Sequence, residues 1–420
     1  MRRYGIFLRA GQKESLYNKK KDYSLMKILY KLSKSVVPCI LLTLCIGFCY
    51  AFSLFTPHIA EILNCSVKAV QFTFCLNIFF LGMGAALFGP LVEKKIRIAT
   101  TVSAALLTLG LLLGGFACST GNILLMYLGC GVMCGLAEGC GYVAPNKNML
   151  LWFPSAKNKG ILAAISIFTF GLGSALCSWL FGCLFPHLGI AKTFYYLALI
   201  YAIPSFAAAM LINKPKYALI KLQKQKKTLF SYVEKLKDPF FRKVWLFMFL
   251  NISMGLILIG SCASILKDVN LSNQMVIITM MLCGIFNGVG RIAFPAISDF
   301  LKNRVNITMI IVLIEIILMA LSLSWLSAIP FCVVICHACY GAAFAVLPSI
   351  LASYYGKDTL SQTHGFCLTS WGMASLMAYL CMTFVMKFFT GLYPVIAAVL
   401  VGYCINAFVV RRILNEVNGK

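Results

Sequence analysis

The stretch GVGRIAFPAISD, residues 288–299, repeats without a gap the pattern of GMGAALFGPLVE, residues 82–93. Glycines, a phenylalanine and an acid occupy the same places in both segments. At one constant separation along the chain, the matched residues are Gly82 with Gly288, Gly84 with Gly290, Phe88 with Phe294, and Glu93 with Asp299. The repeat predicts that the chain is built from two homologous halves.

The composition is that of a polytopic membrane protein. Of the 420 residues, 61% are hydrophobic and only 12% are charged, and the mean hydropathy is +0.89. The apolar runs repeatedly reach the roughly 20 residues that cross a hydrocarbon core as a helix. A membrane barrel would instead show short alternating strands. We therefore predict an all-α integral membrane protein with twelve transmembrane helices in two pseudo-symmetric six-helix bundles, the runs being centred near Leu44, Ile78, Leu107, Val132, Ile167, Ala202, Ser253, Leu282, Val312, Val333, Ser375 and Leu400.

The longest polar interruption, NKPKYALIKLQKQKKTLFSYVEKLKD at residues 213–238, divides these runs six and six. A basic segment of this length between apolar runs is typical of a linker between two bundles. The predicted organisation is a basic N-terminal tail at 1–35, a first bundle at 36–212, a basic linker at 213–240, a second bundle at 241–411 and a tail at 412–420.

The basic residues are distributed unevenly across the predicted membrane. Of the 37 Lys and Arg residues, Arg291 lies inside a span, and those expected on the outer face are Lys68, Lys192, Lys267 and Lys387. All the others share the side of the two termini, which the positive-inside rule places in the cytoplasm. Topology thus accounts for the net charge of +25, and we expect no nucleic-acid partner. We expect no removable signal peptide, an uncleaved first span as the anchor, and the plasma membrane as the location.

Arg291 is a permanent cation within a predicted span, and in the repeat it stands opposite Ala85. The fold itself therefore does not require a charge there. An arginine at the centre of a span costs about 2.5 to 3.5 kcal/mol on insertion scales, so an idle one is improbable. Its planar fork matches a carboxylate, which favours an anion site facing a cavity. The alternative is a buried ion pair with an acid elsewhere in the bundle.

Two acids lie deep in predicted spans, Glu138 and Glu315. Glu138 shares a helix face with Tyr142, and the place equivalent to Glu138 in the second half is Gly341. We consider Glu138 as a protonatable site or a counter-ion to Arg291, or else as a protonated acid bonded to a neighbouring helix. Glu315 lies in the ninth run, which we expect to be peripheral.

Four segments in register resemble the oxalate/formate antiporter family of the major facilitator superfamily, which is related to the monocarboxylate transporters. The segments are GFCYAFSLFTP at 47–57, GYVAPNKNMLLWFPSAKNKG at 141–160, NGVGRIAFPAISD at 287–299 and YYGKDTLSQTHGFCLTSWGMAS at 354–375. The resemblance implies a secondary carrier of small organic anions that works by alternating access, as an antiporter or a proton symporter. Its partners would be a small carboxylate, protons or a counter-anion, and the lipid bilayer.

The resemblance also implies roles for individual residues. The family's eighth-span arginine binds the substrate carboxylate and corresponds to Arg291. Aromatic cavity residues of the first, fourth and tenth spans correspond to Tyr50, Tyr142 and Tyr340. The cytoplasmic gate signature is degenerate around Glu93, and its second copy retains Ser298, Asp299, Lys302 and Arg304. The alternative for these charges is that they only fix the topology.

Two departures from the family pattern narrow the expected substrate. Trp371 stands about where the oxalate carrier has a second cation, and one guanidinium suits one carboxylate better than two. We therefore expect a monocarboxylate of the formate, lactate or pyruvate type, with an oxalate or dicarboxylate exchanger as the alternative. Asn287 replaces an acid that monocarboxylate transporters tend to carry, so Glu138 is the better candidate for proton coupling.

The remaining motifs carry weaker signals. Nineteen cysteines are scattered mostly through the spans, and CVVICHAC at 332–339 has the densest ligand-like spacing. Because thiols in spans behave as small apolar groups, we expect no metal, and His337 is considered as a cavity or proton-relay residue. No phosphate-cradling loop or nucleophile elbow occurs, so we expect no cofactor and no enzyme. A non-transporting nutrient sensor on a carrier fold remains an alternative, and a channel is disfavoured by the repeat.

Overall fold

The computed structural model describes residues 26–153, 159–215, 237–301, 305–355, 360–389 and 391–418, without the side chains of 90, 93, 146, 150, 159–167, 299, 349, 352, 353, 360–362, 365 and 418. Within these ranges the regular structure is entirely helical, which confirms the predicted all-α class. Eleven of the described helices are long and apolar enough to cross a membrane.

The twelve predicted runs correspond to helices that we label α1 to α12. Their bounds are 26–62 for α1, Val67–Leu87 for α2, Ile96–Thr120 for α3, 123–152 for α4, 159–188 for α5, 190–211 for α6, Pro239–Asp268 for α7, Asn273–Asp299 for α8, Asn306–Ser324 for α9, Ile329–Tyr355 for α10, Thr369–Phe388 for α11 and Leu392–Asn418 for α12.

The helical stretch Lys159–Leu211 contains two of these spans. Its apolar part, Phe168–Leu211, has 44 residues, about twice the length that one crossing needs. Gly189 interrupts it with φ 69° and ψ 175°, a conformation that favours glycine, and Pro186 lies just before. The eleven membrane-length helices therefore supply twelve crossings.

The two halves begin their second helices in the same way. Asn64 and Asn270 adopt positive φ angles of 46° and 60° just after α1 and α7. Ser66 and Ser272 then cap α2 and α8, each accepting a hydrogen bond from the backbone N–H three residues later, at 3.2 and 3.3 Å. These two pairs extend the sequence repeat, at the same separation, into the loops that precede it.

The halves meet along two equivalent helix pairs, α2 with α11 and α5 with α8. Glycines permit a backbone-to-backbone approach in both pairs. A Cβ added to Gly82 would lie 2.7 Å from the Gly372 nitrogen, and one added to Gly171 would lie 2.6 Å from the Gly288 nitrogen. Small residues allow this close packing where lipid provides no hydrophobic drive between helices.

The helix α1 changes type where it passes α5. Val36–Ile46 and Phe52–Ile62 are α-helical, but Gly47–Ala51 between them forms a 3₁₀ turn. A Cβ on Gly47 would lie 2.1 Å from the Phe170 carbonyl oxygen, so α1 and α5 touch through their backbones at this turn. Tyr50 lies within the turn and is buried.

The chain ends and connections bear on several predictions. Helical structure reaches back to Met26 and forward to Asn418, into the segments expected to be tails. Several predicted segments lie outside the described residues. They are residues 1–25, residues 419–420, Lys302, Arg304, and residues 216–236, which make up most of the linker expected at 213–240. The N-terminal, linker and cytoplasmic-loop predictions stay predictions.

Candidate functional site

Arg291 lies in the second half of α8, about two turns before its end, and is 0% exposed. Its Nε donates a 2.9 Å hydrogen bond to Oδ1 of Asn287, one turn earlier on the same helix. Because Nε can only donate, the amide oxygen must face it, and the Nδ2 donor of Asn287 points elsewhere. Gly341 on α10 makes room for this pair, since a Cβ there would lie 3.1 Å from the Arg291 Cγ.

Two aromatic rings lie against the guanidinium group. The Arg291 Cζ is 5.5 Å from the ring centroid of Phe170 on α5 and 5.4 Å from that of Phe344 on α10. Both distances are within the range of cation–π attraction. The rings stabilise the buried charge without neutralising it.

The structure brings together the aromatic residues that the resemblance implied. The hydroxyl oxygens of Tyr50 on α1 and Tyr340 on α10 are 3.2 Å apart. The Tyr142 ring, on α4, lies 5.5 Å from Phe170 and 5.7 Å from Trp371 on α11. The cluster therefore draws on helices of both halves.

Sequence reasoning missed two members of this cluster, Phe170 and Phe344. The Phe344 ring lies 4.5 Å from Trp371 and 5.3 Å from Tyr340. It follows Tyr340 by one helical turn, so helical spacing could have identified it. The ring centroids of Phe170 and Tyr50 are 5.4 Å apart. In the sequence, only the glycines that follow Phe170 in the fifth run indicated a close helix contact there.

Several donors in the cluster have no hydrogen-bond acceptor among the described residues. They are Nη1 and Nη2 of Arg291, Nδ2 of Asn287 and Nε1 of Trp371, all buried. The hydroxyl of Tyr142 lies near the guanidinium and that of Tyr340 near the Trp371 indole, but neither has the geometry of a hydrogen bond to these donors. Unpartnered buried donors are costly, and a buried guanidinium is the most costly of them. The buried site therefore presents donors and a positive charge that no carboxylate among the described residues matches.

The two deep acids are bonded elsewhere. Asn77 on α2 donates to Oε1 of Glu138 at 3.1 Å, and Asn251 on α7 donates to Oε2 of Glu315 at 2.7 Å. Neither forms an ion pair with Arg291, and no other carboxylate of the described part of the chain does so. Glu315 is 0% exposed, so this residue of the ninth helix points into its bundle. The prediction that the ninth helix is peripheral concerns the helix as a whole and stays a prediction.

The remaining predicted site residues are His337 and the residues of the cytoplasmic gate. His337, on α10, donates from Nδ1 to the carbonyl of Val333 at 2.8 Å, because a carbonyl can only accept. The side chains of Glu93 and Asp299 and the whole of Lys302 and Arg304 lie outside what the structure describes. The cytoplasmic gate thus stays a prediction.

Comparison with known proteins identifies the family. The model of the Major Facilitator Superfamily matches residues 38–379, most of the chain. The chain belongs to the Major Facilitator Superfamily. It is therefore a multi-pass membrane protein and a transporter, not an enzyme.

Relatives and solved structures agree with this assignment. The uncharacterized MFS-type transporter YhjX of Escherichia coli (strain K12) is 28% identical over 348 residues, covering 79% of this chain and 82% of its own. The oxalate:formate antiporter of Oxalobacter formigenes is 22% identical over 351 residues, covering 81% of each chain. Crystal structures of a D-xylose-proton symporter and the nucleoside transporter NupG share the fold, each with a TM-score of 0.68, at 13% and 15% identity. They cover 91% and 92% of this chain, and 97% and 99% of their own.

Proposed function

We propose that this transporter carries a small monocarboxylate, of the formate, lactate or pyruvate type, and that Arg291 binds its carboxylate. The observation that carries the proposal is the buried guanidinium whose Nη1 and Nη2 meet no described acceptor. A carboxylate accepts both of these bonds in a bidentate pair. Such a substrate would neutralise the charge that no described acid neutralises.

The neighbouring donors fit the same ligand. Nδ2 of Asn287 and Nε1 of Trp371 are buried and unpartnered among the described residues, and both sit beside the Arg291 cluster. They supply further hydrogen bonds to carboxylate oxygens or to an adjacent carbonyl or hydroxyl. The rings of Phe170 and Phe344 would wall the apolar part of the substrate.

A single guanidinium favours one carboxylate over two. Among the described residues the cluster contains no second cation, and the resemblance implies that Trp371 stands about where the oxalate carrier has one. An oxalate or dicarboxylate exchanger is the second candidate, because an antiporter named for oxalate and formate is 22% identical to this chain. A dicarboxylate would need a second positive charge for its second carboxylate, whereas a monocarboxylate needs only the charge of Arg291.

The transport cycle we propose is alternating access, as antiport or proton symport. The Arg291 cluster receives side chains from α1, α4 and α5 of the first half and from α8, α10 and α11 of the second. Rocking of the halves would therefore expose the site to each side in turn. The basic residues favour cytoplasmic termini, and the plasma membrane is the proposed location.

The test is radiolabelled uptake into proteoliposomes of formate, lactate, pyruvate and oxalate, with and without a pH gradient or an internal counter-substrate. We compare wild type with Arg291→Lys and Arg291→Gln. The matched control is Arg242→Gln, since Arg242 is exposed at the start of α7. Saturable monocarboxylate uptake that disappears in Arg291→Gln and falls in Arg291→Lys supports the proposal.

Other outcomes assign the protein differently. Uptake of oxalate in preference to all three monocarboxylates would favour the dicarboxylate candidate. Uptake that survives Arg291→Gln unchanged would make the arginine structural. Substrate binding without any flux, in either direction, would favour a sensor on a carrier fold.

A further inference from the structure

A second cluster of side chains that could bind a ligand lies in the C-terminal half. It consists of Cys262 on α7, Cys283 on α8 and His337 on α10. One ligand atom from each residue, two sulfurs and a ring nitrogen, lies within 4.8 Å of the other two. All three residues are buried, with His337 3% exposed. None of the three is a member of the Arg291 cluster described above, so this cluster needs an explanation of its own.

The hydrogen bonding of His337 leaves one ring nitrogen available to bind a metal ion. Its Nδ1 donates to the Val333 carbonyl at 2.8 Å, which fixes the tautomer with the proton on Nδ1. Nε2 therefore carries the lone pair, and it has no hydrogen-bond partner among the described residues although it is buried. In metal-binding histidines, the ring nitrogen that does not bind the metal commonly donates to a backbone carbonyl in this way, and this hydrogen bond orients the ring.

The two thiols complete a soft ligand set. The sulfurs of Cys262 and Cys283 lie within 4.8 Å of each other, and both are unlinked cysteines. Sulfur and imidazole nitrogen together are the ligands of zinc and related d¹⁰ ions. Two thiolates carry two negative charges, so a divalent ion makes the buried group neutral, which lowers the desolvation cost of binding.

We propose that Cys262, Cys283 and His337 form a binding site for a soft divalent d¹⁰ cation of the zinc type. Binding removes one proton from each thiol, and these two protons leave as the two metal–sulfur bonds form. The third bond comes from Nε2 of His337. This site is independent of the proposed carboxylate transport.

The position of the cluster gives the ion a structural effect. Cys283 precedes Arg291 on α8 by eight residues, about 12 Å along the helix axis. His337 precedes Tyr340 on α10 by less than one turn. A bound ion would tie α7, α8 and α10 together, and it would hold two helices that carry carboxylate-site residues. Thermal stability should therefore rise with ion concentration.

Cadmium, with no other metal present, is the probe for the test, because it binds the same ligands and can be observed directly. The full-length protein in nanodiscs, kept reduced, is titrated with Cd²⁺ by calorimetry in two buffers that differ in protonation enthalpy. The bound ion is examined by ¹¹³Cd NMR, whose shift distinguishes sulfur from nitrogen ligands. The variants are Cys262→Ser/Cys283→Ser and His337→Gln.

The chain offers a matched control for its many other thiols. Cys130 and Cys134 are also a buried neighbouring pair, in the first half, without a histidine in a cluster with them among the described residues. The control variant is Cys130→Ser/Cys134→Ser. It removes the same number of thiols and should keep the tight ion.

The expected result is one tight Cd²⁺, release of two protons, a shift of the two-sulfur, one-nitrogen type and a rise in Tm. Affinity should fall by more than about 100-fold in both cluster variants, beyond the loss that an outer-shell change causes. Absence of a tight ion in wild type, a sulfur-only shift, or loss of the ion in the control alone would overturn the proposal. The wild-type shift decides the matter even if a variant fails to fold.

Discussion

The hydroxyl oxygens of Tyr50 and Tyr340 lie 3.2 Å apart, one from each half of the transporter. The two rings meet edge to face, with centroids 5.6 Å apart. This contact joins α1 to α10 next to Arg291, and any motion that separates the halves here must break it. The pair therefore lies at the edge of the candidate site and also connects the two halves.

Removing either hydroxyl should weaken this link. We expect Tyr50→Phe and Tyr340→Phe each to change the transport rate about two- to ten-fold, the range of one hydrogen bond of about 0.5 to 1.5 kcal/mol. The double variant should resemble the single ones, because the second change removes nothing further. Proteoliposome uptake measures all four proteins. Fully additive effects would show that the hydroxyls act separately.

Trp371 supplies a buried Nε1 donor without a described acceptor, and Trp371→Phe removes that donor while keeping an aromatic ring. If the donor reaches the carboxylate, KM should rise about 10-fold or more, because hydrogen bonds to charged groups contribute about 1.5 to 3 kcal/mol. Initial uptake rates across a range of substrate concentrations provide the measurement. An unchanged KM would remove Trp371 from the binding site. Trp245→Phe serves as the control, since its indole is satisfied by Thr369 at 3.0 Å.

The contact between Gly82 and Gly372 leaves no room for a methyl group. A Cβ on Gly82 would lie 2.7 Å from the Gly372 nitrogen, so Gly82→Ala must push α2 away from α11. We expect the transport rate of Gly82→Ala to fall by about an order of magnitude, because separating α2 from α11 costs about 1 to 3 kcal/mol of packing free energy. Gly89→Ala is the control, since nothing lies within 4 Å of its added Cβ. Equal activity of the two variants would contradict the prediction.

Glu138 is the proposed proton-coupling residue, and Glu138→Gln keeps a group that Asn77 can bond to while removing the titratable acid. Exchange of labelled for unlabelled substrate should persist, but accumulation driven by a pH gradient should be lost. The second half provides the comparison, because Asn251 bonds Glu315 in a similar way. Glu315→Gln should retain gradient-driven accumulation. Loss in the Glu315 variant alone would move the proton site to the second bundle.

The main outline of the fold could be predicted from the sequence because hydropathy and the internal repeat are strong signals. The apolar runs anticipate the helices, and the match of Gly82 with Gly288 marks the two glycines that meet Gly372 and Gly171 between the halves. The continuity of Lys159–Leu211 was not predictable from hydropathy alone. The two runs were separated in the sequence, with Lys192 between them, but helical structure on both sides of the single residue Gly189 leaves no loop that hydropathy could reveal.

The candidate site was predicted in part. Tyr50, Tyr142, Tyr340 and Trp371, which were chosen from the sequence, lie together around Arg291, and their roles in binding stay predictions. Phe170 and Phe344 were missed because an aromatic residue in a span has the same sequence appearance whether it meets lipid or a cation. The bonding of Glu138 to Asn77 required knowledge of how α2 lies against α4, which local pattern does not supply.

The 3₁₀ turn at Gly47–Ala51 couples the length of α1 to the rotation of its outer part. A 3₁₀ segment rises about 0.5 Å more per residue than an α-helix and turns about 20° further per residue. Rewinding these five residues to α-helix would shorten α1 by about 2.5 Å and rotate its outer part by about 100°. Tyr50 lies in that turn, so a local change of pitch would withdraw its hydroxyl from Tyr340 and swing Phe52–Ile62 around the axis in a single motion.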